Sequence, residues 1–230
     1  MTDVVIEHST LVEKLGVDID PELLSLALTH RSFAYENGGI AHNERLEFLG
    51  DSILGQAVTV HLFTRHPDLE EGSLAKRRAS VVSTVALAEV ARGIGLGAYL
   101  RLGRGEDQTG GRDKDSILAD AMEAVIGASF LSAGADATTA LVLRLVAPLM
   151  ADPERYGAAM DPKTSLQELA ARLGMTPPVY TVEASGPDHN RSFTATVTVG
   201  ASARTGVGTS KKQAEMAGAL ALWHDLSTRA

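Results

Sequence analysis

Residues 43–52, NERLEFLGDS, set three carboxylates close together, at Glu44, Glu47 and Asp51. On a helix each residue turns by about 100°, so the three fall at about 0°, 300° and 340° and share one narrow face. Leu46, Leu49, Ile53, Ala57 and Val60 fall between about 140° and 220°, which places an apolar stripe opposite the acids. Acidic residues on a helix usually do no more than face water. Here, like charges at i,i+3 and i,i+4 repel by about a few tenths of a kcal/mol per pair. Asp51, two turns in, also lacks the favourable helix N-terminus that Glu44 enjoys. Clustering at a cost points to a ligand.

A second segment, SILADAMEAVIGA at 116–128, repeats the device. Asp120 and Glu123 are i,i+3 with Gly127 next along the same face, while Leu118, Met122 and Val125 point the other way. The flanking residues are almost wholly apolar, so the two acids are expensive there unless they are paired or bound to a metal. Converging carboxylates destabilise one another, and a divalent cation relieves that. An all-oxygen donor set with no His or Cys motif nearby favours Mg²⁺, with Mn²⁺ as a substitute, over zinc. The chemistry suggested is metal-assisted attack of water on a phosphodiester.

These acids need helices to position them. Helical periodicity runs from about Ser9 to Met150, with a start at Pro21-Glu22 and segments over 43–63, 73–94, 115–132 and 136–150. Residues 151–160, ADPERYGAAM, read as a linker without a clear amphipathic period. Beyond it the pattern changes. A helix is predicted over 164–173, ended by Gly174. Strands follow over 179–184 and 193–199, the second alternating Phe193, Ala195, Val197 and Val199 with threonines. A weaker strand over 203–207 and a helix over 210–225 complete an α-β-β-β-α unit. The predicted fold class is α+β, an all-α domain over 1–150, a linker over 151–160 and the mixed unit over 161–230.

The net charge of −8 argues against a nucleic-acid partner, but it is unevenly placed. Residues 1–150 carry 21 acidic and 13 basic residues, and 151–230 carry 8 of each, so the whole excess lies in the first part. The absence of cysteine excludes disulfides and thiolate metal sites. No signal peptide is visible and no apolar run approaches the ~20 residues that span a bilayer, so a cytoplasmic location is expected. His30, His42, His61 and His66 have no metal-ligand spacing and read as structural or exposed. Lys76-Arg77-Arg78 and the group Arg101, Arg104, Arg112 and Lys114 can meet phosphates, with no individual role assigned.

NERLEFLGDS resembles the signature of the ribonuclease III family, and SILADAMEA resembles that family's second acidic helix. THRS at 29–32 and EEGSLAKRRASVVS at 70–83 match in order and spacing, and the likeness extends from about residue 10 to 225. The resemblance implies a metal-dependent endoribonuclease that cuts double-stranded RNA. It makes Glu47, Asp51, Asp120 and Glu123 the metal-binding set, with Asp51 and Glu123 catalytic and Glu44 and Glu71 further acids of the cleft. It also implies a homodimer that cuts both strands to leave 5′-phosphates and two-nucleotide 3′ overhangs, acting on ribosomal-RNA precursors and structured messengers. Phe48, at about 40° on the wheel beside the acids, is packed either by its own chain or, as the resemblance implies, by a socket on the partner subunit.

DPKTSLQELA, GPDHN and GTSKKQAE similarly resemble a double-stranded-RNA-binding domain over 161–226. A-form RNA is read across its minor groove, with the phosphates between bridged by cations. By that resemblance Thr164, Gln167 and Glu168 of the first helix, His189 of the loop at 186–190, and Ser210, Lys211 and Lys212 at the last helix contact RNA. The two lysines oppose the helix dipole for no folding benefit. Ala171 stands where relatives often carry a polar residue, which removes one minor-groove contact. Two alternatives differ in class: a duplex-binding protein without catalysis, disfavoured because all six acids are present, and a helical phosphohydrolase acting on nucleotides, which leaves the last unit without a purpose.

Overall fold

A computed structural model describes residues 9–151, 153–187 and 191–228. Contacts divide the chain into two units, residues 1–153 and 154–230. The first is helical: α1 Ser9–Leu15, α2 Pro21–Ala27, α3 Arg31–Glu36, α4 Glu44–Arg65, α5 Glu71–Val81, α6 Thr84–Ile94, α7 Arg104–Gln108 and α8 Asp115–Ala151, with 3₁₀ turns at Leu96–Tyr99 and Gly111–Asp113. Asp20 caps α2, its carboxylate accepting from the N–H groups of Glu22 and Leu23, with Pro21 in the first turn. The expected helix over 73–94 is two helices. Ser83 stops the first and caps α6, its hydroxyl accepting from Ala86 N at 3.2 Å. Gly134 adopts φ 80°, ψ −178° and interrupts α8. That is the break expected between 132 and 136.

The axis of this unit is α8. Leu118, Met122, Val125 and Ile126 are buried in the core. By length and composition α8 is apolar enough to cross a membrane, contrary to the expectation that no such run exists. However, 61% of its most apolar window is buried inside the protein. It lies against α4 so closely that the two backbones touch. A Cβ built on Gly50 of α4 would come within 1.7 Å of the Glu123 carbonyl oxygen of α8. One on Gly127 of α8 would come within 2.4 Å of the Leu46 carbonyl oxygen.

This contact corrects the helical-wheel reading of α4. Its buried residues are Leu46, Gly50, Ile53, Leu54, Ala57, Val58 and Leu62, whereas Val60 is 58% exposed and Leu49 is only half-buried. The buried face is centred nearer Gly50, so Glu47 and Asp51 border it instead of lying opposite. The acids therefore stand at the α4–α8 seam.

The second unit begins within α9, Pro153–Met160. The stretch read as an irregular linker is thus helical, and Ala158 is fully buried in the core of this unit. Then come α10 Pro162–Arg172, β1 Val179–Ser185, β2 Ser192–Val199, β3 Ser202–Gly208 and α11 Lys211–Ser227. The sheet is antiparallel in the order β1-β2-β3. Ala195, Val197 and Val199 are buried while Thr196 is exposed, as the alternation requires. Val197 and Val199 pack with Leu166, Leu169, Leu222 and Trp223 of the two flanking helices.

Gly127→Ala is expected to destabilise the protein by about 3 kcal/mol or more, because backbone cannot yield as a flexible side chain does. Gly93→Ala, in α6 with nothing near its Cβ position, should instead leave stability unchanged or raise it by about 0.5 kcal/mol. Denaturant unfolding of both variants checks the contrast.

Candidate metal centre

Of residues 117–129, all are buried except Asp120 and Glu123, which are half-buried. They sit on the side of α8 that faces Glu47 across the glycine seam. Carboxylate oxygens of Glu47, Asp120 and Glu123 all lie within 4.8 Å of one another, close enough to share one cation. Asp51, one turn beyond Glu47, is exposed and lies outside that closest group, yet near enough for its charge to bear on Glu123.

The electrostatics show how unfavourable this grouping is without a counter-ion. Burial foremost, then the charges of Asp51, Asp120 and Glu47, push the Glu123 carboxyl up to about 8. Glu47 is raised for the same reasons, burial and then Asp120 and Glu44. Asp120 is raised chiefly by burial. A divalent ion reverses this balance, and an all-carboxylate donor set suits a hard cation.

A cavity of about 470 Å³ opens beside the cluster, lined by Glu44, Glu47 and Asp120 together with His30, Arg31, Asn43, Glu106, Lys114, Ser116 and Ile117. Glu44 lines this cavity and pairs with Arg31 at 3.4 Å. Glu71 does not join it in this chain. It starts α5 and lines a separate apolar cavity with Leu62, Phe63, Leu69 and Leu74. Phe63 stands 16 residues beyond Glu47 on α4, about 24 Å along the helix. Phe48 is 78% exposed, so its own chain does not bury it. Val60 and Phe63 of the same helix are exposed as well.

Sequence reasoning passed over several residues at this cleft. Thr29 is buried and its carbonyl accepts from Asn43 N at 2.9 Å, which fixes the start of α4. His30 caps α3, accepting from Ser32 N, and burial holds its imidazole below the usual value. Arg101 and Arg112, to which the sequence assigns no individual role, have structural partners. Arg101 donates to Ser25 Oγ and Thr29 Oγ1 and lies 4.4 Å over the Phe33 ring. Arg112 donates to the Leu100 carbonyl and pairs with Asp107 at 2.7 Å.

In the second unit Thr164, Gln167 and Glu168 lie exposed on α10. Lys211 and Lys212 are exposed in the first turn of α11, and Ser210 caps that helix, accepting from Gln213 N at 3.2 Å. An ion pair between Lys163 and Glu215, 2.7 Å, ties the start of α10 to α11, so these two sets flank one helix–helix contact. Ala171 is exposed near the end of α10. His189 lies outside the described residues.

Comparison with known proteins agrees with this geometry. Residues 20–149 match the family described as Ribonuclease-III-like, and residues 162–226 match the double-stranded RNA binding motif. The chain is 72% identical over 222 residues to Ribonuclease 3 of Leifsonia xyli, covering 96% of this chain and 94% of that one. It is 56% identical to Ribonuclease 3 of Nocardia farcinica, with the same coverage of each. Among solved structures, the nuclease domain of ribonuclease III from Campylobacter jejuni, described for flexibility in a region involved in dimer formation, superposes with a TM-score of 0.58. It is 38% identical and covers 61% of this chain and 96% of that one. The helical unit, with its carboxylate seam, and the α-β-β-β-α unit define a nuclease joined to a duplex-RNA-binding domain. The chain belongs to the ribonuclease III family, the double-stranded-RNA-specific endoribonucleases.

The raised carboxyls carry a pH signature. Between 4.5, where an ordinary Glu releases its proton, and about 8, where folded Glu123 does, the folded state binds more protons than the unfolded. Stability of the metal-free protein is therefore expected to fall as pH rises through that window and to level off above it. Chelator-treated protein unfolded at a series of pH values checks this, and Glu123→Gln should flatten most of the slope.

Proposed function

We propose that Glu47, Asp51, Asp120 and Glu123 hold Mg²⁺, with Mn²⁺ able to replace it, for hydrolysis of both strands of double-stranded RNA by a homodimer. The convergence of three half-buried carboxylates within 4.8 Å at the α4–α8 seam carries this reading. A divalent ion in such a site supplies activated water and neutralises charge on the leaving oxygen. The chain's own part is orientation. The backbone contact at Gly50 and Gly127 fixes where Glu47 and Glu123 stand, and the apolar wall behind Asp120 keeps the donors rigid. Glu123 and Asp51 are assigned the catalytic roles. Products carry 5′-phosphate and 3′-hydroxyl ends with two-nucleotide 3′ overhangs.

The exposed Phe48, Val60 and Phe63 support a dimer interface along α4, with Phe48 seated on the partner subunit. Glu71 lies on that same side, beside Phe63, and serves the cleft in the assembled dimer. The second unit binds the duplex through Thr164, Gln167, Glu168, Ser210, Lys211 and Lys212, and through His189. The substrates are ribosomal-RNA precursors and structured messengers in the cytoplasm.

Incubation with a perfect RNA duplex, with and without Mg²⁺, followed by mapping of both product ends, tests this reading. Cuts staggered by two nucleotides, with 5′-phosphates and only in Mg²⁺, are expected. An uncut but bound duplex would return the chain to the binding-only alternative, and faster turnover of free nucleoside triphosphates to the phosphohydrolase. Glu123→Gln or Asp51→Ala should lower cleavage by about a thousandfold or more while duplex binding in Ca²⁺ persists.

A further inference from the structure

At the far end of α4 a cavity of about 190 Å³ is lined by His61, Arg65, His66 and Arg77, together with the apolar Leu62, Val81 and Met150. His61 and Arg65 stand 14 and 18 residues beyond Glu47, about 21 and 27 Å along the helix, so this place is separate from the catalytic cleft. Four side chains able to carry positive charge converge here, three from α4 and its C-terminal cap and one from α5. Among the described residues no carboxylate lines the cavity.

The grouping lacks a counter-charge. Neither Arg65 nor Arg77 forms an ion pair or a side-chain hydrogen bond among the described residues. Elsewhere in this unit Arg31, Arg92, Arg112 and Lys114 each pair with a carboxylate. The helix dipole explains part of the pattern. Cations at a helix C-terminus are favoured by about 0.3–1 kcal/mol, which covers Arg65 in the last turn of α4 and His66 at its cap. It does not cover Arg77, which is half-buried on α5, ahead of that helix's last turn, and still reaches the same cavity. Leu62 and Val81 beside it are buried. Such surroundings strengthen both the repulsion among the cations and their attraction for an anion.

We propose that this cavity binds a terminal phosphate, the end of a phosphate monoester or diphosphate, with Arg65 and Arg77 as its principal donors. Guanidinium groups present paired N–H donors that match phosphate oxygens. The volume is below the ~300–1,000 Å³ of pockets that enclose a whole drug-sized ligand, so it admits the phosphate and not the molecule carrying it. Walls from α4, α5 and α8 make a recess that a terminal phosphate enters end-on, whereas an internal diester continues into chain on both sides. On the α4 wheel His61 and Arg65 fall at about 260° and 300°, against about 100° and 160° for Phe63 and Val60. The dimer surface proposed above therefore leaves the cavity open. The phosphate belongs to a free small molecule or to the 5′ end of an RNA strand, and the chemistry that recognises it is the same. The inference does not depend on the cleavage reading.

Full-length protein, stripped of metal and free of chelator, is titrated with pyrophosphate in a calorimeter. One saturable site per chain is expected. Its Kd should rise about tenfold or more in Arg77→Met, which keeps the stem and removes the guanidinium, and in Arg65→Ala. Melting temperatures of both variants should stay close to wild type. A second arm identifies the source, with two short RNA duplexes, 5′-phosphorylated and 5′-hydroxyl, bound in Ca²⁺. Tighter wild-type binding of the phosphorylated duplex, lost in Arg77→Met, assigns the site to RNA ends. Equal binding of the two duplexes, with the pyrophosphate site present, assigns it to a free phosphorylated molecule. Absence of a pyrophosphate site in wild type, or an unchanged one in either folded variant, overturns the proposal. So does a dependence of log Kd on log salt that falls by about 0.7–0.9 in Arg77→Met for both duplexes alike, which marks an internal backbone phosphate.

Discussion

The contact between the α4 and α8 backbones at Gly50 and Gly127 governs the catalytic unit. Two helices usually stand 8–10 Å apart, separated by their side chains. Here each helix offers a glycine where the other offers a carbonyl, so the axes approach more closely than any Cβ would permit. Residues flanking that point are drawn inward with it. Glu47 comes from one side, Asp120 and Glu123 from the other, and their oxygens meet at the rim of the buried seam. The same proximity removes water from the carboxylates, which is why burial is the leading cause of the raised Glu123 carboxyl. Packing and chemistry are here one feature.

A site built this way stores electrostatic tension in the folded protein. The apolar core behind α8, from Leu118 to Ile126, is what tolerates it. Further support comes from the THRS segment, where buried Thr29 fixes the start of α4 and is itself tied down by Arg101. The cleft is thus held from both ends of α4's first turns, by a hydrogen-bonded strap before the acids and a glycine seam between them. The second unit answers a different need. Its helices and sheet bury Trp223 and Leu166 in a separate small core and leave polar and cationic side chains at the starts of α10 and α11.

Much of this was legible because periodicity and charge are local signals. The i,i+3 spacing of Asp120 and Glu123 in an apolar run identified the acidic helix, and the alternation of threonines with Phe193, Ala195, Val197 and Val199 identified β2. The wheel for α4 failed for a physical reason. Val60 counts as apolar yet faces out, and Gly50 counts as nothing yet marks the centre of the buried face. Ser83 ended a helix through a side-chain cap that hydropathy does not register, and residues 153–160, read as a linker for their proline and glycine, are helical. His30, Asn43 and Lys114 come to line one cavity only through tertiary structure. No spacing rule could have joined them, and only the burial of Asn43 distinguishes it from an ordinary helix-start asparagine.

The claim that the seam forms one cation site is tested most directly by measuring Mn²⁺ binding with electron paramagnetic resonance. Wild type is compared with Glu123→Gln and Asp120→Asn under conditions where all three are folded. The expected result is a saturable site in wild type, with affinity at least about tenfold lower in each variant. Equal affinity in all three proteins would contradict it, and would leave the convergence of these carboxylates without a function.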